Sequence, residues 1–412
     1  MKDGSYMKIF YKILVISFIL LIPINVFSKE FDIESERALL VNLNEDKFLY
    51  EKNIESKTKI ASITKIMTAI VVLENVDDLS EKVKMTSADF KGLAALGLQT
   101  SGLKVNKSYT YEELLYGLML PSGADCAQAL SRLVAGNVPK FVDMMNEKAK
   151  ELGMEKTNFT NPIGLDEKGS FSTAKDVYIM YKYALENDTF KKITNTMEKK
   201  VGDVKLNHTI NYYIKKHDLK MDYLLGGKTG TETLSGYCLA TTATYNGVDY
   251  MLITLNAPYS YSVPYHFLDT KLIYDYYMKN YGYQTLLKEN EKIITLNTRK
   301  IKEEKIEITS KKDYSYYMEN NYDKEKVNIV YDGVYYVDNS FKKGTKLGEV
   351  KIYYGDTLLE KENIYLEEEL HFSIINFFKD DSIALYTVCF LSLFAILIYI
   401  KSKVTKDVEF DF

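Results

Sequence analysis

Two pairs of strand-like runs, one near the start of the chain and one far downstream, enclose a stretch that reads almost wholly as helix. That order permits few packings. Arg37 to Asn42 and Lys47 to Glu51 are joined through the turn-forming Asn44-Glu45-Asp46. Downstream, Tyr237 to Tyr245 and Val248 to Asn256 flank Asn246-Gly247, the strongest short hairpin signal. Between the pairs, helical patterns cover Thr64 to Glu74, Tyr111 to Leu120, Asp125 to Ala135, Val138 to Leu152 and Thr173 to Glu186. The simplest solution joins the strand pairs into one antiparallel sheet, covers it with helices and inserts a helical subdomain. The expected class is therefore α/β. Tyr265 to Tyr281 reads as a closing helix with Phe267, Leu268, Ile273, Tyr276, Tyr277 and Tyr281 on its apolar side.

From about Leu286 the pattern changes to short β-rich runs, Val327 to Tyr331, Val334 to Val337 and Val350 to Tyr354. Gly355-Asp356 then turns into Thr357 to Glu360. A small β-rich domain is expected here. It carries no catalytic constellation and reads as a spacer or a protein-contacting module.

Both ends carry membrane signals. Lys8 and Lys12 flank an apolar run from Ile13 to Ile24, and Val26-Phe27-Ser28 stands at cleavage-site spacing. Residues 1–28 thus read as a secretory signal peptide, with Met7 as an alternative start. Ile383 to Ile400 is uncharged and is followed at once by Lys401, Lys403 and Lys406. This reads as a transmembrane helix, residues 383–400, with a cytoplasmic tail at 401–412 and everything before Ser382 outside. The domains expected between are a catalytic one at 29–283 and the β-rich one at 284–370.

The 412 residues are 46% hydrophobic and 27% charged, which supports packed domains rather than disorder. A net charge of −4 makes no case for nucleic acid as a partner. Cys126, Cys238 and Cys389 are too few for a disulfide framework, and the first two read as small buried apolar residues. Four histidines without ligand spacing imply no metal, and no cofactor is expected.

Three short segments carry the chemistry: Ser62-Ile63-Thr64-Lys65, Ser122-Gly123-Ala124 and Lys228-Thr229-Gly230. A helix begins near Ser62, and Ile63 to Leu73 is apolar almost all round, which marks it as buried. Residues three apart share a helix face, so Lys65 points its amine at the Ser62 hydroxyl. Burial disfavours the ammonium form, and a neutral amine can take the serine proton. Leu118 to Gly123 runs from a helix into a tight loop. Leu224 to Thr231 reads as a glycine-lined strand, which permits close approach of backbone or ligand.

In this order and with these flanks, the three segments resemble those of the penicillin-binding and β-lactamase serine enzymes. Ala61 to Ala69, Thr157 to Leu165, Ser172 to Asp176 and Ser235 to Leu239 narrow the resemblance to the D-alanyl-D-alanine carboxypeptidases among the low-molecular-mass penicillin-binding proteins. Lys343 to Gly348 resembles a segment of their C-terminal domain. Ile60, Ile163 and Ser170 stand where the family often has proline or histidine. The resemblance implies a transpeptidase-like fold and an exported serine carboxypeptidase acting on peptidoglycan stem peptides, with β-lactams as covalent inhibitors. It implies Ser62, Lys65 and Ser122 as catalytic residues, with Ser122 bonded to both lysines and passing a proton to the leaving amine. Lys228, Thr229, Gly230 and Thr231 are the implied substrate-binding residues, and the N–H groups of Ser62 and Thr231 the oxyanion hole. Ala124 departs from the family's asparagine, which motivates a scaffold with poor turnover as one alternative. A β-lactamase is the other. A neighbour such as Gln128 is a candidate to fill the gap.

Overall fold

The structure, a computed structural model, describes residues 31–408. The signal-peptide reading lies outside them, as does the end of the expected cytoplasmic tail. The chain divides into two compact units between Lys279 and Asn280.

The first unit is built on a five-stranded antiparallel sheet. Its strands run in the order Lys47–Lys52, Arg37–Asn42, Val248–Ala257, Gly236–Tyr245 and Leu224–Glu232. The two strand pairs do join, with Ala38 opposite Thr254 and Val41 opposite Met251. The hairpin turn at Asn246-Gly247 takes positive φ at both residues, 49° and 79°, as the right-handed twist of the strands demands. Helices cover both faces, so Ala38, Leu39, Leu40 and Val41 are all fully buried rather than alternating. Leu39, Val41, Met251 and Ile253 pack in one core with Ile66, Met67 and Ile70 of the helix Lys65–Asn75. The closing helix, Tyr265–Asn280, is tied to the sheet by Tyr274 and Thr241, 3.1 Å apart through their hydroxyls. Its Asp269 accepts from Ser35 N at 2.7 Å.

The inserted helices start where side chains satisfy their first backbone donors. Thr110 and Glu113 form a reciprocal capping box on Tyr111–Met119, and Thr173 caps Ala174–Leu185. Elements not anticipated include the helices Asp188–Thr194 and Thr209–Lys216, and the hairpin of Glu198–Val201 with Val204–Asn207. All are short and lysine-rich, so their apolar periodicity is weak. The Thr209 helix is capped by an imidazole, His208 Nδ1 accepting from Ile210 N at 3.1 Å.

In the second unit, Lys346–Tyr354 pairs on one side with Val327–Gly333 and on the other with Thr357–Tyr365. The region after Tyr281 holds more strand than its sequence promised: Tyr281–Leu287, Lys292–Thr298, Lys305–Thr309 and Tyr314–Glu319. Val334 is excluded from its expected strand, which is only Tyr336–Val337. Leu296, Tyr331, Val337, Val350 and Ile352 share a core separate from that of the first unit. The helix Ser382–Val408 contains a stretch, Ser382–Lys403, long and apolar enough to cross a membrane.

Candidate active site

Ser62 sits in a tight 3-10 turn, Ala61–Thr64, that runs directly into the helix headed by Lys65. Ala61 holds a positive φ of 45°, a conformation that costs free energy in a non-glycine residue and recurs where geometry must be enforced. Lys65 Nζ donates to Ser62 Oγ at 2.8 Å and to the Ile163 carbonyl at 2.7 Å. Burial drives the Lys65 amine down to about 7, against the opposing pull of Glu232 and then Asp125. A large fraction is therefore the free amine near neutral pH.

The Ile163 carbonyl is aimed by its own loop. Asn161 Oδ1 accepts from the N–H groups of Ile163, Gly164 and Leu165 at 3.2, 2.8 and 3.0 Å. Gly164, at φ +88°, lies so close to the Ser62 turn that a Cβ would stand 2.0 Å from the Ala61 carbonyl oxygen. Thr68 Oγ1 donates to Pro162 O at 2.7 Å and fixes the loop to the helix. Ile163 thus contributes through its backbone, where a side-chain reading of the sequence found nothing.

Ser122 also takes a positive φ, 65°, between the helices Tyr111–Met119 and Ala124–Ala135. Lys228 Nζ donates to Ser122 Oγ at 2.8 Å and to Thr229 O at 2.9 Å. Here the structure corrects the expectation that Ser122 bonds both lysines. The three-residue spacing from Ser62 and the Ile163 carbonyl hold Lys65 on the nucleophile side, and only Lys228 meets Ser122. Burial, then the charge of Lys65, pushes the Lys228 amine well below its ordinary value. His208, wholly buried and acted on by Lys228, is kept neutral down to about 3 by burial and by that charge.

A cavity of about 270 Å³ opens over these groups, lined by Ser62, Lys65, Ser122, Thr229, Thr231 and Glu232, with Gln99, Ala124, Ile163, Thr209 and Tyr213. Of the four expected substrate-binding residues, Thr229 and Thr231 line it. Lys228 is fully buried and reaches it through Ser122, while Gly230 packs against the nucleophile turn. A Cβ on Gly230 would lie 3.0 Å from Ile60 O and 3.1 Å from Ser62 N, so glycine there brings the strand against Ser62. Thr229 Oγ1 donates to Thr209 Oγ1 at 2.8 Å. Thr209, Tyr213, Gln99 and Glu232 were not singled out from the sequence, since none lies in the three motifs except as a flank. Ala124 N donates to Gln99 O at 2.8 Å, which makes Gln99, not Gln128, the amide residue lining the cavity beside Ala124. Asp125 accepts from Ser101 N and Oγ at 2.7 and 2.6 Å and so holds the segment after Gln99 to the Ser122 side.

The three cysteines are unbridged, Cys126 and Cys238 buried and Cys389 exposed. Among the described residues there is no group of histidine, cysteine and acid side chains suited to a metal ion.

A serine and lysine on a helix start, a second serine–lysine pair, and a glycine-lined edge strand define the class of penicillin-recognising serine acyl-transfer enzymes. Known proteins agree with that class. Residues 25–259 match the D-alanyl-D-alanine carboxypeptidase family, and residues 281–371 match the C-terminal domain of penicillin-binding protein 5. The chain is similar to the D-alanyl-D-alanine carboxypeptidase DacF of Bacillus subtilis, 29% identical over 352 residues, 82% of this chain and 86% of that one. The Streptomyces K15 DD-transpeptidase structure is 28% identical, with a TM-score of 0.56, covering 60% of this chain and 98% of that one. Penicillin-binding protein 5 of Haemophilus influenzae shares the fold across 83% of this chain and 99% of its own, with a TM-score of 0.60 at 21% identity. The chain belongs to the D-alanyl-D-alanine carboxypeptidase family of serine peptidases and is a low-molecular-mass penicillin-binding protein.

Proposed function

We propose that this protein removes the terminal D-alanine from peptidoglycan stem pentapeptides through an acyl-enzyme on Ser62, and that β-lactams acylate the same oxygen. The observation that carries this is the 2.8 Å contact between Ser62 Oγ and the wholly buried Lys65 amine, held near neutrality in its titration. As free amine, Lys65 takes the Ser62 proton while Oγ attacks the carbonyl of the penultimate D-alanine. The N–H groups of Ser62 and Thr231 receive the developing oxyanion. Ser122, backed by Lys228, hands a proton to the departing amine of the terminal D-alanine. Water then attacks the ester and gives one proton back to Ser122, while Lys65 returns its proton to Ser62 Oγ as the peptide acid leaves. Thr229 and Lys228 receive the terminal carboxylate, the lysine through its hydrogen-bonded partners.

The domain assignment follows the same reading. Residues 29–283 act as the enzyme and 284–370 as a spacer or contact module, with 1–28 as a removed signal. Residues 383–400 anchor the protein in the cytoplasmic membrane with the enzyme outside and 401–412 inside, as the lysines after the span imply. The family matches run to the carboxypeptidases and their C-terminal domain, and no observation favours a β-lactamase. Release of D-alanine from a pentapeptide by the detergent-extracted protein, with an adduct of fluorescent penicillin mapped by mass spectrometry, tests the activity. Steady turnover with the adduct on Ser62 is expected. An adduct on another serine overturns the residue assignment, and labelling without turnover turns the reading into that of a scaffold.

A further inference from the structure

The β-rich unit holds a cavity of about 490 Å³, within the size range of ligand pockets, between two strands that belong to different sheets. Among the described residues, Lys305–Thr309 pairs only with Lys292–Thr298, and Thr357–Tyr365 only with Lys346–Tyr354. Each therefore presents an unpaired backbone edge. Consecutive residues line the cavity on both strands, Ile306 to Thr309 on one and Glu362 to Tyr365 on the other. Successive side chains of a strand point to opposite faces, so such runs mark the strand edges as the walls. Ile306, Ile308, Leu347, Ile364 and Leu366 make the lining largely apolar. Glu362 does not fit that lining. It stands opposite Val350, a core residue, so its side chain is directed inward like that of Ile364 two residues on. Its Oε2 is buried without a hydrogen-bond partner. A buried acceptor left unpaired is costly.

An exposed strand edge must be kept from pairing with the wrong chain, and an inward-pointing charge is one way to do that. Glu362 repels an apolar or an acidic strand. The same carboxylate admits a strand that brings a cation, because the newcomer supplies the partner that Oε2 lacks. The rim agrees in sign. Glu307, Glu367 and Glu368 border the cavity against one cation, Lys311, which is already paired with Glu367. We propose that this cavity is a docking site for an extended basic segment of a partner protein, taken up by strand addition. The segment's backbone pairs with the two open edges and joins the two sheets into one. Its inward face is apolar, to meet Ile306, Ile308 and Ile364, except for one lysine or arginine that meets Glu362. This gives residues 284–370 a specific contact surface and is independent of the catalytic reading.

The test uses the full-length, detergent-extracted protein and a fluorescent heptapeptide amide, valyl-lysyl-lysyl-threonyl-valyl-lysyl-valine. As a strand it puts valine and its third-position lysine on one face, and lysine and threonine on the other. Fluorescence anisotropy gives Kd. The parent should bind it, and norleucine in place of the third-position lysine should weaken binding about tenfold. N-methylation of every second backbone amide should abolish binding, because edge pairing is lost. Glu362→Gln should erase the difference between lysine and norleucine, and Glu362→Leu should reverse it. Thermal unfolding shows whether the variants stay folded, and Glu362→Leu should unfold no earlier than the parent, since it removes an unpaired buried acceptor. No binding by the parent, equal binding of the lysine and norleucine peptides, or undiminished binding of the N-methylated peptide overturns the docking site and leaves Glu362 as a guard of the edge. None of these outcomes touches the carboxypeptidase reading, which fluorescent penicillin on Ser62 tests separately.

Discussion

Two serine–lysine pairs share one cavity, with the same atoms at the same separation and different surroundings. Lys65 Nζ stands 2.8 Å from Ser62 Oγ, and Lys228 Nζ stands 2.8 Å from Ser122 Oγ. Both lysines are buried. Lys65 has Glu232 and Asp125 acting in favour of its charged form, so its pKa settles at about 7. Lys228 has no acid helping it, and burial, then the charge of Lys65, pushes its pKa well below the ordinary lysine value. Identical side chains are thus given different work by their neighbours. The amine that titrates near neutrality suits proton abstraction, and the amine bonded to Ser122 and to the Thr229 carbonyl suits a hydrogen-bond relay behind Ser122.

Removing each amine in turn tests that division most severely. Lys65→Met should slow acylation by fluorescent penicillin by about 10³- to 10⁴-fold, the upper part of the range for a lost general base. Lys228→Met should cost about 10²-fold. Equal losses, or a larger one at Lys228, would erase the distinction between the pairs.

The nucleophile pair depends on a backbone loop that the Ser122 pair lacks. Gly164→Ala forces the Ile163 carbonyl away from Lys65, because the added carbon meets Ala61 O. A displacement of about 1 Å in such a site costs about 10²-fold in rate. Circular dichroism with acylation kinetics checks this, and a folded variant acylating at the parental rate would show that the carbonyl does not position the amine.

Titration separates the pairs more gently. Lys65 must be neutral to accept the proton, and its folded pKa lies below the ordinary lysine value. Acylation kcat/KM should therefore be level above about pH 7 and fall as pH drops through that value, roughly tenfold for each unit below it. A rate flat from pH 8 to about 5.5 would mean that Lys65 is not the titrating base.

The smallest effect concerns the wall beside Ser122. Ala124 leaves out a side-chain amide, and Gln99 lines the cavity next to it. A full hydrogen bond to a charged group is worth about 1.5–3 kcal/mol, so partial replacement by Gln99 leaves a gain of a few-fold to about tenfold for Ala124→Asn. Steady-state kcat/KM on a D-alanyl-D-alanine peptide measures it. No gain in a folded variant would mean that the wall is built around alanine.

Much of the catalytic unit is legible in the sequence alone. Arg37–Asn42 and the hairpin about Asn246-Gly247 were readable because turn chemistry and β-rich runs are local signals. The buried helix after Ser62 was readable from its nearly unbroken apolar run. The helix Thr209–Lys216 was missed because its start is capped by a histidine ring rather than by a serine, threonine, asparagine or aspartate. The strands from Tyr281 to Glu319 were missed because lysine, glutamate and tyrosine on exposed faces blur the period of two.

The sequence by itself determined the identity of the two serines and two lysines, the spacing that puts Lys65 one turn from Ser62, and the two strand pairs that frame them. These depend on neighbours along the chain. The tertiary structure alone decided which serine each lysine serves, that the Ile163 carbonyl holds one of them, and that Glu232, Thr209 and Gln99 share the cavity. It also decided how the amines titrate, because burial and through-space charge come from segments far apart in the chain. Lys65 and Glu232 meet only when the edge strand is laid beside the nucleophile turn, and no local pattern records that contact.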